Sequence, residues 1–235
     1  MCQRCGAAAT GRRGFLAASL GALAMTGLAS RAGAQPVPRA ADDPAAAFAR
    51  LAAGNARYAA NTPNERDFSA GRALRAAGQA PYAAVLGCAD SRVAPELVFD
   101  EEPGNLFVVR VAGNFVTADG LASLEFGAAV LGTKAILVLG HTSCGAVNAT
   151  VRALQEGNNL PGGIAGLVSA MKPGVEPALR ETGGDLARRA LEANARHNVE
   201  ALRTRSPILS SLIQRGELEV RGGIYDLATG RVVML

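Results

Sequence analysis

Histidine and cysteine are scarce in this chain of 235 residues, which has two of the first and four of the second. Cys2 and Cys5 stand at the start, so the body of the chain keeps Cys88 and Cys144 alone and has at most one disulfide. There is no internal repeat and no low-complexity tract, which excludes an array of stacked repeats. Beyond residue 30 no long apolar run occurs, which excludes a spanning helix in the body of the chain. An excess of charge is missing there too. The net charge of +4 comes from 24 basic against 20 acidic residues, and Arg4, Arg12, Arg13 and Arg31 fall in the first 34. Without those four, 20 basic residues face 20 acidic ones. That balance gives no support to a nucleic-acid partner, which needs a basic face on the folded domain.

What is present begins with "GRRGFLAASLGALAMTGLASRAGAQ". Arg12 and Arg13 form a twin-arginine pair, and residues 14–30 are uncharged and rich in Ala, Leu and Gly. Ala32-Gly33-Ala34 then offers the small residues that signal peptidases accept. The pattern predicts a cleaved twin-arginine export signal over residues 1–34 and a periplasmic or otherwise exported protein. The apolar run falls short of the ~20 residues of a spanning helix, so no stable membrane anchor is expected after cleavage. Cys2 and Cys5 leave with this segment. Residues 35–235 remain as one domain, long enough for an α/β fold with a sizeable core.

Within that domain Asp43 and Pro44 suit the cap and first turn of a helix over 44–60. Strands are expected at "YAAVLGC" (82–88), "LFVVRVAG" (106–113) and "KAILVLGH" (134–141), with a helix over 120–132. Further helices are expected at about 144–156, 185–204 and 207–215, and a hairpin turns around Ala228-Thr229-Gly230. Continuous apolar strands separated by helices predict an α/β fold. Its sheet is mostly parallel, with four to five strands flanked by helices.

Two of the strands end alike, in "AVLGCADSR" and "LVLGHTSCG". Sites in open parallel sheets lie just beyond the carboxyl ends of the strands. If these two are neighbours, Cys88 and His141 meet there, and Cys144 joins them at the start of the next helix. The free N–H groups and dipole at that helix start favour a thiolate. Two sulfurs and one imidazole suit zinc and leave one tetrahedral position open. A Cys88–Cys144 disulfide is the bland alternative, which export permits. His197 lies off the apolar stripe of Leu191, Ala195, Val199 and Leu202, so it reads as a surface or subunit-contact residue. Asp90 and Arg92 follow Cys88 closely. A carboxylate beside a metal can bind it or orient its water, and a guanidinium can hold that carboxylate ionised.

"CADSRV", "PELVFDEEPGNLFVVRVAGN" and "LGHTSCGAV" resemble the β-class carbonic anhydrases, and the likeness runs from residue 51 to the end of the chain. The resemblance implies one zinc ion per chain on Cys88, His141 and Cys144, with Asp90 and Arg92 as the catalytic dyad. It implies reversible hydration of carbon dioxide to bicarbonate by attack of a zinc-bound hydroxide, in a homodimer or homotetramer. Gln79 falls where many plant-type members place a glutamine that reaches the neighbouring subunit's site. Phe107 falls at an aromatic wall position. Ala112 and Gly145, inside the matching motifs, complete the expected substrate pocket. Phe126 stands where many members have tyrosine, which removes a hydroxyl. Hydrolysis of carbon disulfide or carbonyl sulfide on the same ligands is a second enzymatic reading. A non-catalytic exported scaffold is a third.

Overall fold

The structure, a computed structural model, describes residue 41 and residues 43–157 and 160–235. The expected export signal lies outside these residues. α1 (Pro44–Ala59) starts as its sequence demands, with the Asp43 carboxylate accepting from the Ala46 N–H at 2.7 Å. Its buried residues Ala47, Phe48, Leu51, Gly54 and Asn55 recur at helical spacing and form one face. The short α2 (Arg72–Ala77) follows.

The sheet contains β1 (Ala83–Gly87), β2 (Leu106–Arg110), β3 (Ala135–His141), β4 (Glu219–Tyr225) and β5 (Val232–Met234). Its order is β2-β1-β3-β4-β5. The first four strands run parallel, and β5 pairs antiparallel with β4. β1 and β3 are neighbours, as the paired strand ends required, and Gly87 lies opposite Leu139.

Both central strands are buried along their whole length. Alternate side chains serve two cores. Ala83, Val85, Leu137 and Leu139 pack with α1 and with Val98 and Phe99 around α3 (Pro95–Val98). Ala84, Leu86, Ile136 and Val138 pack beneath the remaining helices. These are α4 (Ala118–Ala129), α5 (Gly145–Glu156), α6 (Gly163–Arg180), α7 (Leu186–Arg205) and α8 (Pro207–Gln214). Burial on both faces is the reason the strands read as unbroken apolar runs rather than alternating ones.

Three helices have no counterpart in the sequence reading: α2, α3 and α6. α6 is the longest of them and contains Pro173 and Pro177, which normally break a helix. Packing supplies what propensity withholds. Val168, Met171, Val175 and Ala178 bury one stripe, and Gly174 lets α7 approach so closely that a Cβ there would lie 3.0 Å from Asn194 Oδ1. The second strand also ends at Arg110, short of the expected residue 113. Asn114 N–H folds back onto the Val111 carbonyl at 2.9 Å, and Gly113 (φ +87°) and Asn114 (φ +43°) turn the chain away.

Candidate metal centre

Each of the three metal-capable side chains stands at a strand or helix end. Cys88 leaves β1, His141 ends β3, and Cys144 caps the N-terminus of α5. Their ligand atoms all lie within 4.8 Å of one another, and all three residues are buried. The two sulfurs are 3.9 Å apart and unbridged. That geometry sets aside the disulfide reading of the pair.

His141 is oriented by its own backbone. Nδ1 lies 2.9 Å from the Thr142 carbonyl, which can only accept, so Nδ1 carries the proton. Nε2 is left with a lone pair and is buried without a hydrogen-bond partner. An orphaned buried nitrogen beside two sulfurs fits a borderline-soft cation such as zinc, and the Thr142 carbonyl supplies the outer hydrogen bond such a histidine needs.

Backbone N–H groups point at the sulfurs. Cys88 Sγ accepts from Asp90 N–H at 3.4 Å and from Gly113 N–H at 3.3 Å. The hydrogen bond with Cys144, opposed by burial and helped by the His141 imidazole and then by these donors, lowers the pKa of the Cys88 thiol. Cys144 moves the other way, pushed up by Cys88 and by burial against the Val147 and Ala146 N–H groups. Burial pushes the His141 imidazole down, and the Cys88 thiolate beside it pushes it up by more.

Asp90 and Arg92 form the expected dyad. Arg92 Nε donates to Asp90 Oδ1 at 2.9 Å and Nη2 to Oδ2 at 2.7 Å, with the Arg92 backbone N–H adding a third bond at 2.9 Å. These bonds, chiefly the guanidinium's, hold the Asp90 carboxyl well below the usual carboxylate range. Its Oδ2 lies 3.8 Å from His141 Nε2.

The pocket residues separate. Gly145 opens α5 beside Cys144 and has free space where a side chain would stand. Ala112 is next to the Gly113 donor. Phe107 instead pairs with Ala84, four residues before Cys88 and so ~13 Å back along the strand. Its ring packs under Gly127 of α4. Gln79 precedes β1 at the far end of the sheet and is exposed. Neither reaches the cluster of its own chain. His197 is exposed, as its place off the stripe implied.

Several contributors escaped the sequence reading. Arg110 holds the Cys88–Asp90 loop through both carbonyls, at 2.8 and 2.7 Å. Gly113 donates to Cys88, and buried Asn194 and Asn198 on α7 hold the turn that carries Gly113. The glycine in "RVAGN" was the one available signal, since a glycine after a strand marks a close backbone approach.

Comparison with known proteins shows the family and the fold. The family model described as carbonic anhydrase matches residues 83–232. Carbonic anhydrase 2 of Mycobacterium tuberculosis is 42% identical over 197 residues, covering 82% of this chain and 93% of that protein. The carbonic anhydrase of Pseudomonas aeruginosa is 39% identical over 164 residues, covering 66% of this chain and 73% of that protein. Among solved structures, the β-carbonic anhydrase CcaA superposes with a TM-score of 0.64 at 28% identity, covering 80% of this chain and 86% of that one. A Coccomyxa β-carbonic anhydrase in complex with acetazolamide gives 0.62 at 29%, covering 80% and 81%. A tetrameric β-carbonic anhydrase from Sordaria macrospora gives 0.59 at 27%, covering 70% and 86%. The chain belongs to the carbonic anhydrase family, with the β-class fold, and is an enzyme of that family.

Proposed function

We propose that this protein catalyses the reversible hydration of carbon dioxide to bicarbonate and a proton, with one zinc ion held by Cys88, His141 and Cys144. The observation that carries the reading is the buried, unpartnered His141 Nε2 facing two sulfurs, with Asp90 beside it. Zinc, when bound, lowers the pKa of its water so that hydroxide is available near neutral pH.

The chain's own residues do the rest. Asp90 accepts a hydrogen bond from the reacting water and fixes its orientation. Arg92 holds Asp90 ionised and aimed, since its two-point grip leaves the carboxylate one rotamer. Arg110 keeps the loop that joins Cys88 to Asp90 from shifting. The missing side chain at Gly145 leaves room for a small substrate next to the sulfur of Cys144.

The assembly we propose is at least a homodimer. Gln79 and Phe107 lie towards the N-terminal ends of β1 and β2, away from their own cluster, so a role in the pocket requires a second copy. The twin-arginine segment supports export, with cleavage near Ala34 and function outside the cytoplasm.

The deciding experiment is stopped-flow carbon dioxide hydration by the purified chain, with zinc measured on the same sample. Activity with about one zinc per chain supports the proposal. Zinc without hydration at alkaline pH would move the assignment to another substrate of the same site.

A further inference from the structure

The turn after β2 carries a hydrogen bond into the metal centre, and α7 holds that turn from behind. Gly113 N–H donates to Cys88 Sγ at 3.3 Å. On the strand side the turn is tied by Val111 N–H to the Gly87 carbonyl at 3.1 Å and by Ala89 N–H to the Val111 carbonyl at 3.3 Å. On the helix side Asn194 Nδ2 donates to the Gly113 carbonyl at 2.9 Å, and Asn198 Oδ1 accepts from Val116 N–H at 2.8 Å. The two amides are joined, because Asn198 Nδ2 reaches the Asn194 carbonyl at 2.8 Å and its Oδ1 at 3.2 Å.

Gly113 does not set its own direction. Its φ of +87° is one that side chains rarely adopt, and a Cβ there would fall 2.1 Å from Met171 Sδ. Only glycine fits, and a glycine backbone turns freely unless its neighbours fix it. Asn194 and Asn198 are 1% and 3% exposed, on the same face as Leu191, Ala195, Val199 and Leu202. Burying two amides in an apolar stripe is unfavourable unless every polar atom finds a partner. Here the backbone partners are the Gly113 carbonyl and the Val116 N–H, both on the segment that follows the Cys88 donor.

We propose that Asn194, supported by Asn198, is a positioning residue for Cys88: by fixing Gly113 it keeps that N–H on the sulfur and so sets the direction and donor strength of the sulfur toward the metal. This rests on the reading of Cys88 as a zinc ligand. An N–H on a thiolate draws charge from it, so losing the bond changes what the sulfur gives to the metal.

The test is Asn194→Asp. It turns an acceptor toward the Gly113 carbonyl while still accepting from Asn198. Asn55→Ala is the control. Asn55 is a buried amide with three backbone bonds of its own, to Val98, Gly230 and Val232, and touches nothing at the centre. Amide hydrogen exchange at Gly113 in the metal-free chain should quicken about tenfold or more in N194D. In the cobalt-substituted protein the sulfur-to-cobalt absorption band should move. kcat for hydration should fall about tenfold while KM stays within about twofold. N55A should lose stability but keep all three readings. Asn194→Ser, whose hydroxyl can still donate, should restore part of each, and it stands in if N194D does not fold.

Equal exchange at Gly113 and an unmoved band in N194D would overturn the proposal. If the wild-type chain takes up neither zinc nor cobalt, the metal reading fails instead, and Gly113 exchange alone judges the grip of Asn194 on the turn.

Discussion

Arg92 grips the carboxylate of Asp90 at two points and leaves Oδ2 3.8 Å from His141 Nε2. The carboxylate is thus pinned between a guanidinium and the one buried nitrogen without a hydrogen-bond partner in the centre. An ordinary surface ion pair would be free to swing; this one is also tied to the Ser143 carbonyl through Arg92 Nη2 at 3.4 Å.

Asp90→Asn tests what that placement does. The amide keeps the size of the side chain but offers one oxygen instead of two and loses the charge. Hydration should fall about 100-fold while zinc content stays at about one per chain, since a residue that orients water acts beside the ligands rather than as one. Metal analysis and stopped-flow rates on one preparation decide it. Loss of zinc together with activity would make Asp90 a ligand.

The ligand set predicts the pH profile. Two thiolates give a metal more charge than two imidazoles and weaken its pull on a water proton. Activity should therefore rise from pH 6.5 to pH 9 rather than level off near neutrality. Asp90 does not limit this range, because its carboxyl is held below the usual carboxylate values and stays ionised throughout. A flat profile over the same interval would contradict the assignment of both sulfurs as ligands.

The centre was legible in the sequence because its residues are rare and its strands end alike. Cys88, His141 and Cys144 need only two facts, neighbouring strands and a helix start, and apolar runs supply both. Asn194 and Asn198 were hidden for the opposite reason. With Leu191, Ala195, Val199 and Leu202 they fall on one helical face, so spacing alone buries them. A polar residue type argues for solvent, and only the turn at Gly113 explains why it loses. α6 was hidden by Pro173 and Pro177, whose local cost is offset by packing against α7 that no local pattern encodes.

The sulfurs give a direct chemical test. Cys88 and Cys144 are free and buried. In a chain beginning at residue 35, denaturation without reductant should release two thiols to a colorimetric reagent. In the native zinc-loaded protein both should react slowly, and a chelator should speed them, because coordination ties up the thiolates. No thiols before reduction would return the pair to a disulfide.

Stability at low pH should depend on Asp100, far from the chemistry. Its buried carboxylate takes Arg57, Arg66 and the Asn64 amide groups, which tie the segment after α1 to the end of α3. Burial pushes its pKa up, but these donors push it down by more, to a value below the ordinary one. A depressed folded value means the stabilisation is complete above the unfolded value of about 4 and is lost as pH falls through the folded one. The contribution of Asp100 to urea stability, read as the difference between the wild type and Asp100→Asn, should therefore be constant from pH 8 to pH 5 and decline below about pH 4. Asp100→Asn, which strands both arginines, should remove about 3 kcal/mol at neutral pH. Asp100→Ala should cost about 1 kcal/mol more, because residue 100 sits at φ +48° and Asn tolerates that region better than Ala. An Asn variant as stable as the wild type at pH 7 would show that the arginines find solvent at no cost and that the cluster does not hold the two segments together.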